Sequence, residues 1–278
     1  PAIFRSQDSV GERVRMIGSS LTAGVPANTI RKFTAGVDVT KGEAVFLHTD
    51  NKTYSASAEI AAWANAFIGF VEKDAFKGYD ATIITAGIST VQSGLTSGSQ
   101  YYLVDHNETA SVEQATVTNN VPGILTSETA YQTFTSESSK VLTVGGRINF
   151  ANSSGSPVVT VRLREGTGVG GTLLATGTVN VVNGWVTWNW DIIVQLEASL
   201  TYSLTLQWNN VGAFDLRGST ADPYSGGAWS ADSASDIGFT VFKESTTTLG
   251  SIGTAAGTVS RKVGIAVSAT QLNLTNLW

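Results

Sequence analysis

The stretch nearest to a phosphate-cradling loop is "VRLREGTGVGGTLLATG" (161–177), with five glycines in twelve residues beside Arg162, Arg164 and Glu165. A dinucleotide loop needs a strand, then the glycines, then a helix whose N-terminus meets the anion. Here the glycines run into "TLLATGTVNV", rich in β-branched residues, so the pattern predicts a hairpin bend. A second chemistry is offered by "FDLRGSTADPYSGGAWSADSASD" (214–236), which carries Arg217, Asp222, Tyr224, Trp229, Asp232 and Asp236. Rings that stack on a pyranose and carboxylates that accept hydroxyl protons suit sugar recognition. Trp185 has the opposite strand parity to Trp188 and Trp190, which places it either facing outward or at a strand end. The candidate glycan set is therefore Trp185, Arg217, Asp222, Tyr224, Trp229 and Asp232, against the simpler reading of a polar loop anchored by one aromatic. The same aspartates lack an EF-hand spacing, and no metal or cofactor is expected.

Catalytic patterns are thin. Neither a GxSxG elbow nor HExxH occurs, there is no cysteine, and the two histidines, His48 and His106, lie 58 positions apart without the local spacing of a zinc site. Paired carboxylates of a glycosidase depend on folding and cannot be read from spacing. The expectation is a chain that is not an enzyme. A net charge of −5 without a basic cluster argues against nucleic acid, whose phosphates demand Lys and Arg. No run of about 18 apolar residues and no charged-then-apolar start is present, so neither membrane insertion nor a secretory leader is expected.

The elements that must position these residues are strands. Charged residues make up 14% of the 278 residues, well below the usual quarter, while Gly, Ser and Thr abound. That balance suits short strands and tight turns, and the length suits two domains. Residues 1–20 read as an arm or edge strand. "FTAGVDVTKGEAVFLHT" (33–49) predicts two strands about a Lys41-Gly42 turn. "SAEIAAWANAFI" (57–68) predicts the one helix, with Ser57 and Glu59 at its start. Strands follow in "GFVEKDA", "DATIITAGIST" and "SGLTSGSQYYLVDHN". The loosened "NNVPGILTSET" (119–129) marks a boundary.

From 131 to 243 the strand-like segments are "YQTFT", "LTVGGRINFAN", "PVVTVRLREG", "GTLLATGTVNV", "GWVTWNWDII", "LTYSLTLQW" and "DIGFTVFKE". Their period-two alternation predicts an antiparallel sandwich. Val159, Val161 and Leu163 share one face and Thr160, Arg162 and Arg164 the other. Tyr202, Leu204, Leu206 and Trp208 likewise oppose Ser203, Thr205 and Gln207, giving one core face and one wet face. Trp188, Trp190 and Trp208 are assigned to the core. After the loose "STTTLGSIGTAAGT" (245–258), "SRKVGIAVSATQLNLTNLW" predicts two further strands.

On those segments, taken in order, 131–243 resembles a jelly-roll β-sandwich module of phage virion and bacterial surface proteins, similar in layout to carbohydrate-binding modules. The flanks resemble another family, the small β-rich modules of tailed-phage head-decoration and fibre proteins, through "AGVDVTKGEAVFL", "AAWANAFIGFVEKDA", "GLTSGSQYYLVD" and "RKVGIAVSATQLNL". In that family the "GLTSGSQYYL" and "VGIAVSATQL" segments lie close in sequence. Here about 150 residues separate them. The two resemblances together imply an all-β fold with one short helix, in which a discontinuous decoration module (1–128 plus 246–278) carries an inserted jelly roll (129–245), since insertions succeed at exposed loop tips. They imply a capsid cement or decoration protein on the virion exterior, bound to the major capsid protein, trimeric as such modules often are, with the jelly roll available to host or environmental glycans. The alternatives are a tail or fibre receptor-binding protein and, third, an accessory module of a secreted glycan-active enzyme.

Overall fold

The computed structural model describes residues 5–7, 13–15, 28–121, 130–220, 224–231, 235–244 and 250–274. Within the amino-terminal stretch, Arg5–Gln7 (β1) and Arg13–Arg15 (β2) pair antiparallel; the rest of the predicted arm lies outside the described residues. The fold is nearly all-β with one short helix.

The first unit is a closed barrel. Its strands are Thr29–Ala35 (β3), Ala44–Leu47 (β4), Lys52–Ser55 (β5), Phe67–Val71 (β6) and Asp80–Ser89 (β7), in the order β7-β3-β5-β4-β6. The ring closes where Phe70 and Val71 pair with Ile84 and Ile83. Closure depends on Gly69, because a Cβ there would lie 2.2 Å from the Ile84 carbonyl oxygen. The barrel is filled by Phe46, Tyr54, Trp63, Phe70, Ile83 and Ile84, with the Phe46 ring stacked 5.4 Å from the Trp63 ring.

Two expectations need correction here. The Lys41-Gly42 turn exists, with Gly42 at φ +88°, but its flanking strands do not pair with each other. β3 pairs with β7 and, in parallel, with β5, while β4 pairs with β5 and β6. The helix is also shorter than predicted: α1 spans Ala61–Asn65, Ile60 occupies its N-cap position, and Phe67–Val71 is strand. Tertiary burial explains the difference, because all five residues of β6 are buried in the barrel wall.

Gln100–Leu103 (β8) leads out of the barrel toward a two-sheet sandwich. Its strands are Glu108–Gln114 (β9), Asn119–Val121 (β10), Ala130–Thr135 (β11), Val141–Ser154 (β12), Val158–Glu165 (β13), Thr172–Asn180 (β14), Gly184–Leu196 (β15), Thr201–Trp208 (β16), Ala213–Ser219 (β17), Asp236–Ile237 (β18) and Phe239–Glu244 (β19). One sheet runs β11-β16-β13-β14. The other runs β10-β17-β12-β19-β9, with β15 on β12 and β18 on β17. Val159, Val161, Leu163, Leu204 and Leu206 fill the space between them with Phe134, Trp188, Trp190, Tyr202 and Phe239.

The sandwich begins earlier than residue 129, because β9 and β10 hydrogen-bond to β19 and β17. It also holds a strand, β17, within the stretch expected to be irregular. Trp208 is only partly buried; its ring meets Phe214 edge-on and its Nε1 donates to the Val211 carbonyl (2.9 Å). The face of β16 expected to be wet is covered: Ser203 and Thr205 are fully buried. The cover at Ser203 is the glycine-rich turn, whose 3-10 segment Gly168–Gly170 folds back over β16.

The chain then re-enters the first sheet. Ile252–Gly253 (β20) pairs with β8, Lys262–Ser268 (β21) with β8, and Gln271–Leu274 (β22) with β21 and β7. Strands on either side of the sandwich in sequence are therefore neighbours in one sheet. The sandwich rests on the barrel through apolar contact: Val144 and Ile193 are buried in the barrel's core cluster. Polar bonds fix the orientation, with Trp63 Nε1 donating to the Asp191 carbonyl (3.1 Å) and Asp38 N–H to Gln195 Oε1 (2.8 Å).

Candidate functional site

The glycine-rich bend directs its amide inward. Gly168 N–H donates to Ser203 Oγ (2.7 Å), and that hydroxyl donates to the Gly166 carbonyl (2.7 Å). The chain then enters β14, not a helix. The bend joins β13 to β14, which pair antiparallel as a hairpin, and it also covers β16 at Ser203.

The candidate glycan residues do not assemble into one site. Trp229 is 0% exposed, in the sandwich core, so its indole presents no face to a sugar. Tyr224 packs edge-on against Phe239 (5.5 Å), its hydroxyl accepts from Thr135 N–H (3.3 Å), and burial raises its pKa. Asp236, fully buried, accepts from Gln132 Nε2 (2.7 Å) and from Tyr224 N–H (2.9 Å). Gln132 in turn accepts from Ile237 N–H (3.1 Å). This network pins the segment after β17 to β11, so Tyr224 and Asp236 are held by partners within the sandwich. Asp222 and Asp232 lie outside the described residues.

Trp185 and Arg217 do share a surface, the outward face of the larger sandwich sheet. Trp185 is half-buried beneath the Arg147 guanidinium, which sits 4.6 Å from the ring centroid. Arg147 donates to Glu113 Oε1 (2.5 Å) and to Thr240 Oγ1 (3.0 Å). Arg217 donates to the Val117 carbonyl (3.4 Å), and next to it Asp215 Oδ2 accepts from Asn120 (2.8 Å) and Asn152 (2.6 Å). The Trp185 ring edge lies beside Gly238, whose N–H donates to the Arg217 carbonyl (2.7 Å).

Two clusters escaped the sequence reading. A cleft of about 480 Å³ opens where barrel meets sandwich, lined by Asp38, Lys41, Glu43, Gln92, Tyr101 and Glu244 among others. Glu43 accepts from the Ser55 hydroxyl, from Thr40 N–H (2.8 Å) and from Thr40 Oγ1 (3.2 Å). Burial pushes its pKa up to about 6, with a smaller push from nearby Glu244, while the Ser55 and Thr40 hydrogen bonds pull the other way. The "TKGE" spacing is that of a capping box and was the one legible signal for Glu43.

The second cluster is Ser57, Glu59, His106 and Glu108. His106 Nδ1 lies 3.0 Å from Ser57 Oγ and 3.3 Å from Glu59, and Nε2 lies 3.8 Å from Glu108. The residue types match a nucleophile, base and acid. The geometry does not serve that chemistry: Ser57 is 1% exposed, and its oxygen accepts from the Glu59 and His106 amides (3.2 and 3.3 Å). It braces the point where the chain leaves for the sandwich. There the strands run side by side, with Glu108 opposite Glu244 in the β9–β19 ladder. Among the described residues no group of three or more His, Cys, Asp or Glu side chains could hold a metal ion.

Compared with known protein families and with curated protein sequences, the chain matches none.

Proposed function

We propose that the chain is a non-enzymatic structural protein of a tailed-phage particle, a cement or decoration protein that binds the major capsid protein and holds a jelly roll outward. One observation carries the reading: β21 and β22 lodge between β8 and β7, so the sandwich leaves and re-enters one sheet through adjacent strands. On this reading the barrel is the attachment base and the sandwich a side arm. The arm's chain ends are tied together by the β9–β19 ladder, and its base is seated by Val144 and Ile193. An arm so fixed keeps a constant outward direction, as a displayed module on a lattice requires. Of the proposed glycan set, Trp185 and Arg217 remain as surface neighbours, and a sugar would meet the arm there.

Electron cryo-microscopy of particles carrying a labelled chain tests the proposal. Regular copies over the shell support it. Label confined to a single vertex replaces it with the tail or fibre reading, and absence of label from particles removes both.

A further inference from the structure

The sandwich joins the barrel through a neck of two strands, β9 leaving and β19 returning, whose ladder ends with Glu108 directly opposite Glu244. Like charges so placed destabilise the pairing. Each also acts on a glutamate of the first unit. Glu43 and Glu244 line the same junction cleft, and the Glu244 charge adds to the burial that pushes the Glu43 pKa up to about 6. Burial likewise raises the pKa of Glu59; His106 lowers it, and Glu108 and Asp105 raise it further. His106, whose side chain is fully buried, stands between Glu59 (3.3 Å) and Glu108 (3.8 Å). Two lysines of the region face other carboxylates: Lys243 faces Glu137 (2.5 Å), and Lys140 faces Asp38 (3.7 Å) and Glu197 (3.4 Å). Lys41 is exposed at the cleft with its N–H held by Asp74, and Arg261 and Lys262 are half-buried where β21 begins. Tyr101, which also lines the cleft, accepts from Thr96 N–H (2.9 Å).

The segment that re-enters the barrel, 250–258, lies across both groups. At one end Gly250 takes φ +70°, and a Cβ there would lie 2.1 Å from Glu43 Cγ. Its N–H donates to the Ala56 carbonyl (2.7 Å), and its carbonyl accepts from Ala44 N–H (2.7 Å). At the other end Thr258 donates to Asp105 from its N–H (2.8 Å) and its hydroxyl (2.9 Å), and a Cβ on Gly257 would lie 2.7 Å from Asp105 Oδ1. The bonds that seat the sandwich adjoin the same groups. Asp38, whose N–H donates to Gln195, lines the cleft with Glu43, and the Trp63 ring, whose Nε1 donates to the Asp191 carbonyl, lies 6.5 Å from the His106 ring. Acidic groups, return segment and seat are therefore in contact with one another.

We infer that the neck is an acid-tightened clasp: protonation of Glu43 and Glu59 closes the return segment on the barrel, and their ionisation toward neutral pH lets that segment open locally while both cores stay folded. The clasp belongs to the chain alone, so it stands or falls independently of what the barrel attaches to. The sign follows from the direction of the shifts. A carboxyl that prefers its neutral form in the closed state contributes fully below pH 4.5, and for Glu43 that contribution is lost as pH rises through about 6. Glu43 alone then makes opening about 20-fold more frequent at pH 8 than at pH 4. Glu59 adds to this in the same direction.

The test is amide hydrogen exchange of the full chain at several pH values from 4 to 8, each rate corrected for the chemical exchange of the unfolded peptide. Protection at Ala44, Gly250 and Gly257 should fall by about 20-fold or more across that range, while Val161 and Leu204 in the sandwich hold theirs. The same three amides should exchange faster than Phe70 and Ile83 at every pH, because a local opening costs less than unfolding the barrel. Glu43→Gln/Glu59→Gln should keep its acid-level protection at pH 8. Glu108→Gln, at the end of the ladder, is an independent arm that leaves both barrel glutamates in place: relieving the pair with Glu244 should raise protection at pH 8 by about threefold. Protection that is flat with pH in the wild type overturns the clasp. So does exchange of the three amides at the rate of Phe70 and Ile83, which would make the effect one of global stability. A pH response that survives intact in the double variant also overturns it, by assigning the titration to His106 or another group.

Discussion

Glu43→Gln should make the protein more stable at neutral pH, and the gain should vanish in acid. Glu43 sits at the barrel–sandwich junction, where burial raises its pKa from 4.5 to about 6. A carboxyl whose folded pKa lies above its unfolded value contributes stability that is fully present below pH 4.5 and is lost as pH rises through about 6. The displacement corresponds to about 2 kcal/mol of preference for the protonated form. Gln keeps the shape and the neutrality: its oxygen can accept from Thr40 N–H, and its amide can donate to the Ser55 hydroxyl. The assay is thermal and denaturant unfolding of wild type and variant in parallel from pH 4 to pH 8. The advantage of the variant should grow across that window by about 2 kcal/mol, or about 4–8 °C in midpoint. Charges elsewhere cancel in the difference, except at Glu244, whose field on Glu43 is part of the effect. A difference that stays flat between pH 4 and pH 8 would refute the reasoning, because it would mean that the three hydrogen bonds to the carboxylate fully offset its burial.

Trp229→Ala should cost about 3–5 kcal/mol in unfolding free energy, since the indole is fully buried between the sheets. Trp185→Ala, which removes a half-buried outward ring from under Arg147, should cost about 1 kcal/mol; denaturant titration of both separates a core residue from a surface one. Gly69→Ala should open the barrel at the β6–β7 seam, because the added methyl meets the Ile84 carbonyl at 2.2 Å. The expected readout is faster amide exchange at Phe70, Val71, Ile83 and Ile84, with the sandwich strands unaffected.

Period two is a local property, and what it dictates was legible. Val159, Val161 and Leu163 point inward because alternate side chains of a strand must, and the same rule placed Tyr202, Leu204 and Leu206. The outward parity of Trp185 against Trp188 and Trp190 was readable for the same reason. The rule assigns faces but says nothing about what lies beyond each face. Ser203 and Thr205 alternate correctly and are still buried, because the bend that covers Ser203 belongs to residues 166–170, over thirty positions away. Alternation also persists through Phe214 and Leu216, yet Asp215, Arg217 and the glycines after them masked β17 as loop.

Where no period exists, burial has no sequence signal at all. Trp229 lies in a segment without alternation, so composition suggested a solvent-facing aromatic; its position is set instead by an isolated bridge to Gln132 and by the buried Gln132–Asp236 pair. The Ala-rich stretch failed for a related reason. Alanine favours helix, so the whole run reads as one, yet only Ala61–Asn65 coils while Phe67–Val71, with large apolar side chains, is claimed by the barrel wall. The exposed ring of Phe76 is the converse case. It sits two residues past the Glu72–Lys73–Asp74 charges and before a glycine turn, a context in which a lone aromatic usually folds back onto the core. Ala75 takes that inward position by bridging to Val39, which forces its neighbour outward.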